Sequence, residues 1–150
     1  MILERFKVTD KIAVVTGGTR GIGLSIAHAL GEAGAKLVVT SRTDKFGGLE
    51  SLQKANYDVS FFEADITDKQ VPQKIIDYTL DKHGSIDILV NNAGVAQHGE
   101  MEEFNDDLLD KIMNINVDAL FRMCRSAITP MKKKGEGVIL NIGSISGLVS

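Results

Sequence analysis

Thr16-Gly17-Gly18-Thr19-Arg20-Gly21-Ile22-Gly23 follows directly on the apolar run Ile12-Ala13-Val14-Val15, and an amphipathic pattern begins at its end: Ile22, Ile26, Leu30 and Ala33, with Ala29 beside them. A buried strand, a tight glycine turn and a helix are therefore contiguous. That arrangement makes an anion site, because the first-turn N–H groups of a helix have no partners within the helix and its dipole favours negative charge there. Gly17 suits a turn leaving the strand, where a Cβ would obstruct a ligand or force a strained φ. Gly21 lets a pyrophosphate approach the backbone, and Gly23 lets the helix lie close to the strand. The spacing is Gly-x-x-x-Gly-x-Gly rather than the Gly-x-Gly-x-x-Gly of most dinucleotide folds. The competing reading is an ordinary strand-to-helix loop, so the rest of the chain has to test the assignment.

Working outward, strand and helix alternate. Strands are predicted at Lys11–Thr16, Lys36–Thr40, Val59–Ala64, Ile86–Asn91 and Val138–Ile142. Helices are predicted from about Arg20 to a stop at Gly34, weakly over residues 44–56, over Asp68–His83 with Thr67 or Asp68 as N-cap, and from near Asn105 towards Pro130. Apolar strands alternating with helices imply an α/β fold of the Rossmann type: a doubly wound parallel sheet covered on both faces, here ending after its fifth strand. The 150 residues suffice for one domain.

Composition excludes several classes. Hydrophobic residues make up 43% and charged residues 25%, and the net charge of −3 exerts no general pull towards nucleic acid. Lys132, Lys133 and Lys134 read as a solvated cap on a helix C-terminus. The only cysteine is Cys124, which leaves no internal disulfide and fits a reducing compartment. No apolar run reaches the length of a membrane span, and Glu4, Arg5 and Lys7 make the N-terminus unlike a signal peptide, so a cytoplasmic location is expected. His28, His83 and His98 are far apart and show no ligand spacing, so no metal site is expected; His98 lies where it could touch a substrate.

In a doubly wound sheet the ligand lies outside the carboxyl ends of the strands, which makes the residue after each strand informative. After the second strand come Ser41 and Arg42, where an NAD site usually places an acid for the ribose hydroxyls. A guanidinium there holds phosphate instead, and Arg20 in the glycine loop approaches the same place, so NADP (NADPH) is expected; the alternative is two ordinary surface charges. Asp65 follows the third strand and suits either an adenine amino group or the cap of the next helix. Asn91-Asn92-Ala93-Gly94 follows the fourth strand and reads either as a close approach to a ribose or as an Asn-rich turn.

Together, Thr16-Gly17 with Gly21-Ile22-Gly23, Asp65, Asn91 to Gly94, Asn116 in Asn-Val-Asp-Ala-Leu-Phe and Ser144 in Ile-Gly-Ser-Ile-Ser-Gly resemble the short-chain dehydrogenase/reductase family in order and spacing, from about Lys11 onward. The branch it resembles includes 3-oxoacyl-acyl-carrier-protein reductases and sugar or polyol dehydrogenases. The resemblance implies hydride transfer between a nicotinamide and a carbonyl or alcohol substrate, with homo-oligomers (dimer or tetramer) in the full-length form. It also implies that Gly17 to Ile22, Thr19 included, cradle pyrophosphate, with Gly23 behind them. Arg42 would meet the 2′-phosphate with Ser41 beside it. Asp65 and Ile66 would flank adenine, and Asn92 would contact ribose with Ala93 and Gly94 close by. Asn116 would hold a relay water from within a helix, and Ser144, preferred over Ser146 for its spacing to Gly147, would bond the substrate oxygen.

The family's proton donor is the tyrosine of a Tyr-x-x-x-Lys pair, whose lysine lowers a phenol pKa that is otherwise about 10. That pair would fall beyond Ser144, past the end of the sequence at Ser150. Tyr57 and Tyr78 are assigned to packing. The chain is therefore expected to be the cofactor-binding part of a longer reductase, inactive by itself, with the fifth strand as a bare apolar edge. The alternative is a nucleotide-binding module without catalysis.

Overall fold

The computed structural model describes residues 2–97 and 99–144. Its centre is β1 (Ile12–Thr16), buried along its whole length. β1 pairs with β2 (Lys36–Ser41) on one side and β4 (Ile88–Asn91) on the other. β3 (Val59–Glu63) and β5 (Val138–Asn141) complete a parallel sheet in the order β3-β2-β1-β4-β5.

The continuous apolar runs of the inner strands follow from burial on both faces. Val14, Val38 and Leu89 point to one side. There they meet Ile75 and Ile76 of α3 (Val71–His83) and Met123, Ala127 and Met131 of α5 (Leu120–Lys134). Ala13, Val15, Leu37, Val39 and Val90 point to the other, against Ala27 of α1 (Gly21–Glu32) and Leu52 of α2 (Gly48–Lys54). α4 (Asp106–Met113) begins at Asn105, whose side chain accepts the Leu108 N–H at 2.9 Å. A π-helical turn, Asn114–Ala119, joins α4 to α5.

Four expectations need correction. α2 is shorter than residues 44–56, because Gly47 stands in the left-handed region (φ 70°) and the chain turns helical only after it. α3 starts at Val71, with Pro72 in its first turn and Gln70 at the N-cap. Neither Thr67 nor Asp68 caps it: Asp65 Oδ1 accepts the N–H and hydroxyl of Thr67, and Asp68 Oδ1 accepts the Gln70 N–H. These acids spend themselves on tight turns that delay the helix. α5 passes through Pro130 and stops at the left-handed Gly135. Lys134, finally, is more than a solvated cap, since it pairs with the buried Asp87.

β5 is an edge among the described residues, as expected. Val138 (61% exposed) and Leu140 (48%) continue the face of Ile88 and Val90 with no described helix over them.

Candidate functional site

At the carboxyl end of the sheet, where strand order reverses between β1 and β4, lies a cleft of about 520 Å³. Gly17, Thr19, Arg20, Gly21, Ile22, Gly23, Ser41, Arg42, Asp65, Ile66, Asn92, Ala93 and Gly94 all line it. Asn116 and Ser144 do not.

The glycine turn is built by three constraints. Gly17 (φ 65°) and Gly21 (φ 53°) stand where L side chains are strained. A Cβ on Gly23 would collide with Gly17 O and Asn92 Nδ2, so helix and turn touch directly. The N–H groups of Gly17 and Gly18 bond Thr40 O at 2.7 and 3.2 Å, which ties the turn to the end of β2. The first helical bond of α1 runs from Leu24 N–H to Arg20 O at 3.2 Å, leaving the N–H groups of Gly21, Ile22 and Gly23 ahead of the ladder. A Cβ placed on Gly21 meets no protein atom within 4 Å, so the backbone there faces open space in the cleft. These features fit a pyrophosphate.

The Asn-Asn-Ala-Gly stretch turns inward. Asn92 Nδ2 donates to Thr16 O at 3.1 Å and Gly17 O at 3.2 Å, so the amide clamps the glycine turn. Thr16 Oγ1, which the sequence did not single out, accepts the N–H of Asn92 and of Ala93, each at 3.0 Å. Asn91 Nδ2 reaches Asn141 Oδ1 at 2.9 Å and Cys124 Sγ at 3.2 Å, tying β4 to β5 and α5.

At the other side of the cleft, Thr19 Oγ1 donates to Ser41 Oγ at 2.9 Å and Ser41 Oγ donates to Thr43 O at 2.7 Å. The two hydroxyls thus join the glycine turn to the loop after β2. Arg20 and Arg42 are exposed there, and neither forms an ion pair among the described residues. The carboxylate of that loop, Asp44, is occupied: its oxygens accept the Gly48 N–H at 2.9 Å and the Leu49 N–H at 3.1 Å. Asp65 is held below the ordinary carboxyl range by the N–H and hydroxyl of Thr67, with help from the charge of Arg42 against the cost of burial. Phe46, Thr43, Val95 and Ile115 also line the cleft and were not anticipated. Thr43, Val95 and Ile115 are signalled in the sequence only by adjacency to Arg42, Gly94 and Asn116, and Phe46 by nothing.

Asn116 lies in the π-helical turn, consistent with a helix irregularity there. Its amide makes a two-way pair with Val95, Oδ1 accepting the N–H at 2.9 Å and Nδ2 donating to the carbonyl at 2.8 Å. The side chain therefore anchors the loop segment that leaves the Asn-Asn-Ala-Gly stretch. Ser144 is exposed three residues after β5. Ser146, Gly147 and His98 lie outside the described residues.

The Tyr-x-x-x-Lys spacing itself occurs in the sequence at Tyr78 and Lys82, a match that the assignment of Tyr78 to packing passes over. The structure keeps the packing assignment. Both residues sit on α3, with the Tyr78 ring 5.1 Å from that of Phe62 and Lys82 Nζ 5.9 Å from the Tyr78 centroid; neither lines the cleft. Tyr57 packs edge-on to His28 at 5.7 Å.

A parallel sheet in this order, with its cleft at the switch point and a glycine turn opening the first helix, defines a Rossmann-type domain. The short chain dehydrogenase family profile matches residues 11–150, and the chain belongs to that family of nicotinamide-dependent oxidoreductases. It is 40% identical to D-beta-hydroxybutyrate dehydrogenase of Rhizobium meliloti, over 93% of this chain and 56% of that protein. It is 37% identical to the NADP-dependent (R)-specific alcohol dehydrogenase of Lentilactobacillus kefiri, over 95% and 58%. A gluconate 5-dehydrogenase from Burkholderia cenocepacia, solved in complex with NADP and tartrate, superposes with a TM-score of 0.91 at 31% identity, covering 100% of this chain and 60% of that one. The chain thus spans little more than half the length of these relatives. No described helix is long and apolar enough to cross a membrane.

Proposed function

We propose that this chain is the cofactor-binding part of an NADP(H)-dependent oxidoreductase that transfers hydride between the nicotinamide and a carbonyl or alcohol substrate. The observation that carries the choice of NADP is the pair of guanidinium groups, Arg20 and Arg42, without ion-pair partners among the described residues, at the end of the cleft where Asp44 is already committed to α2. A carboxylate in that position would repel a 2′-phosphate, whereas a guanidinium offers it a fork of donors. The NADP dependence of the L. kefiri alcohol dehydrogenase and the NADP complex of the B. cenocepacia gluconate 5-dehydrogenase support the same choice.

In this reading the N–H groups of Gly21, Ile22 and Gly23 take the pyrophosphate, Thr19 and Ser41 hold the two loops together, and Arg42 takes the 2′-phosphate. Asp65 and Ile66 border the adenine, while Asn92, Ala93 and Gly94 shape the ribose side through the clamp on Gly17. When bound, the nicotinamide would supply the hydride to a carbonyl or accept it from an alcohol. Asn116 fixes Val95 at the edge of the site, and Ser144 orients the substrate oxygen. Titration with NADPH and NADH by fluorescence tests the cofactor: NADPH is expected to bind more tightly, and equal affinities would remove the assignment.

A second reading, binding without catalysis, applies to these 150 residues taken alone. It is favoured by the lining of the cleft, which includes no tyrosine or lysine among the described residues. Loss of a positioned general acid typically costs about 10²–10⁴ in rate. No turnover is expected from a preparation verified by mass to end at Ser150, assayed against a panel of carbonyls, and robust NADPH oxidation by it would overturn this reading. A longer product of the same gene is expected to turn over.

We also propose self-association. Leu109, Met113, Val117, Phe121 and Ile128 are exposed along the rod formed by α4, the π-helical turn and α5. The start of this rod carries Asp106, Asp107 and Asp110, and its end Arg125, Lys132 and Lys133, so two antiparallel copies would oppose unlike charges. A cytoplasmic setting rests on the single cysteine, Cys124.

A further inference from the structure

Phe46 belongs to neither core cluster and is 75% exposed in a loop that is otherwise polar. The ring gains little from burial there, so its contacts on the surface are what it can contribute. The loop is not free to swing. Asp44 grips the first N–H groups of α2, Gly47 takes the left-handed turn behind the ring, and a Cβ on Gly48 would collide with Thr19 O. The Thr19–Ser41 hydrogen bond closes the same junction from the other side. Phe46 is thereby fixed relative to the glycine turn, and the Arg20 guanidinium lies over its ring, 5.8 Å from the centroid.

An aromatic partner differs from a carboxylate in one respect that matters here. A carboxylate would hold Arg20 by consuming its donors and cancelling its charge. A ring attracts the cation through its face and leaves the in-plane N–H groups and the full charge available. Both residues line the cleft beside Arg42.

We propose that Phe46 is a positioning residue for Arg20, holding its guanidinium uncompensated at the adenosine end so that, together with Arg42, it selects a ribose phosphomonoester. The proposal rests on the NADP reading above and deepens it.

The test measures binding of 2′,5′-ADP and of 5′-AMP, which lacks the 2′-phosphate, to the chain by calorimetry. Phe46→Ala is expected to weaken 2′,5′-ADP by about two- to five-fold, the range of one exposed cation–π contact, and to leave 5′-AMP unchanged. Phe46→Tyr is expected to bind like the unsubstituted chain, and Phe46→Leu, apolar without a π face, like Phe46→Ala. In an Arg20→Ala background the Phe46→Ala loss is expected to vanish. Equal losses for both nucleotides, full rescue by leucine, or an undiminished loss without Arg20 would each overturn the proposal. If Arg42→Ala abolishes the preference for 2′,5′-ADP while Phe46→Ala does nothing, the NADP reading stands and this proposal falls. If the unsubstituted chain shows no preference, both fall.

Discussion

The two ends of the sheet handle charge in opposite ways. At the amino end, Asp87 sits just before β4 with its side chain almost wholly buried, and every group around it is answered. Its Oδ2 accepts the Ile12 N–H at 2.8 Å, Oδ1 accepts from Lys134, and Lys11 Nζ stands 4.0 Å away. Glu136 bridges the two lysines from outside, at 2.8 Å from Lys11 and 3.5 Å from Lys134. This end closes on itself and joins β1, β4, α5 and β5. At the carboxyl end, Arg20 and Arg42 have no ion-pair partner among the described residues, and the backbone at Gly21, where α1 begins, faces open space. In a parallel sheet all strands share one direction, so the structural and the ligand-facing chemistry separate to opposite edges. Charges satisfied by the protein hold the fold, and the charges left over are the ones that the NADP reading gives to the ligand.

The largest expected effect breaks the open end alone. Gly17→Val places a β-branched side chain at φ 65° and within 3.0 Å of Asn92 Nδ2, against the clamp on the turn. NADPH binding is expected to be lost, by more than about a hundred-fold, in a variant whose circular dichroism still shows the α/β fold. Normal binding by a folded variant would put the anion site elsewhere.

Next comes the closed end. Asp87→Ala leaves the Ile12 N–H unpaired and two lysines without their inner partner, and urea unfolding is expected to lose about 2–3 kcal/mol with cofactor affinity per folded molecule unchanged. Burial works against ionisation of Asp87, but the Ile12 N–H, the Lys134 hydrogen bond and the charges of Lys134 and Lys11 outweigh it and lower its pKa. A folded-state pKa below the unfolded value makes this contribution complete above about pH 4, and it fades as pH falls through the folded value. Melting curves from pH 7 to pH 3 should therefore converge for the parent and Asp87→Ala at the acid end. Curves that diverge on acidification would contradict the assigned sign.

The two ends were also unequally legible. The glycine turn could be read because its demands are local: left-handed φ and close approach at Gly17, Gly21 and Gly23 leave glycine as the natural residue. The inner strands could be read because burial on both faces admits little but Val, Ile, Leu and Ala. Asp87 could not, since its partners lie 75 residues away at Ile12 and 47 away at Lys134. The start of α3 was misplaced because Asp65 and Asp68 look like caps yet close turns of their own. Asn92 was expected to face a ribose, and the bonds to Thr16 O and Gly17 O that turn it inward depend on strand pairing that spacing alone does not reveal. Tyr78 and Lys82 show the converse, a spacing that matches a reaction and a place in the fold that does not.

Arg42→Ala sharpens the comparison at the open end. It removes a charge with no ion-pair partner among the described residues, so stability is expected to stay within error of the parent. NADPH affinity is expected to fall by about 1.5–3 kcal/mol, and NADH affinity to hold. Paired fluorescence titrations read both cofactors, and a thermal melt reads the fold. Equal losses for the two cofactors would sink the assignment to the 2′-phosphate.

Glu136→Gln should have the smallest effect, and it tests whether the closed end has an inside and an outside. Glu136 touches the same two lysines as Asp87, and its pKa is lowered by the hydrogen bond from Lys11 and then by the charges of Lys11 and Lys134. It does so in solvent, whereas Asp87 does so inside the protein. Exposed pairs gain little because water and salt screen them, and at 0.15 M ionic strength screening acts over about 8 Å. Glutamine also keeps an oxygen that can accept from Lys11. The melting temperature of Glu136→Gln is therefore expected to match the parent at that salt, with a small loss emerging only at low ionic strength. A loss comparable to that of Asp87→Ala would mean that the four charges stabilise the amino end as one unit. Burial of Asp87 would then not be what makes it the keystone.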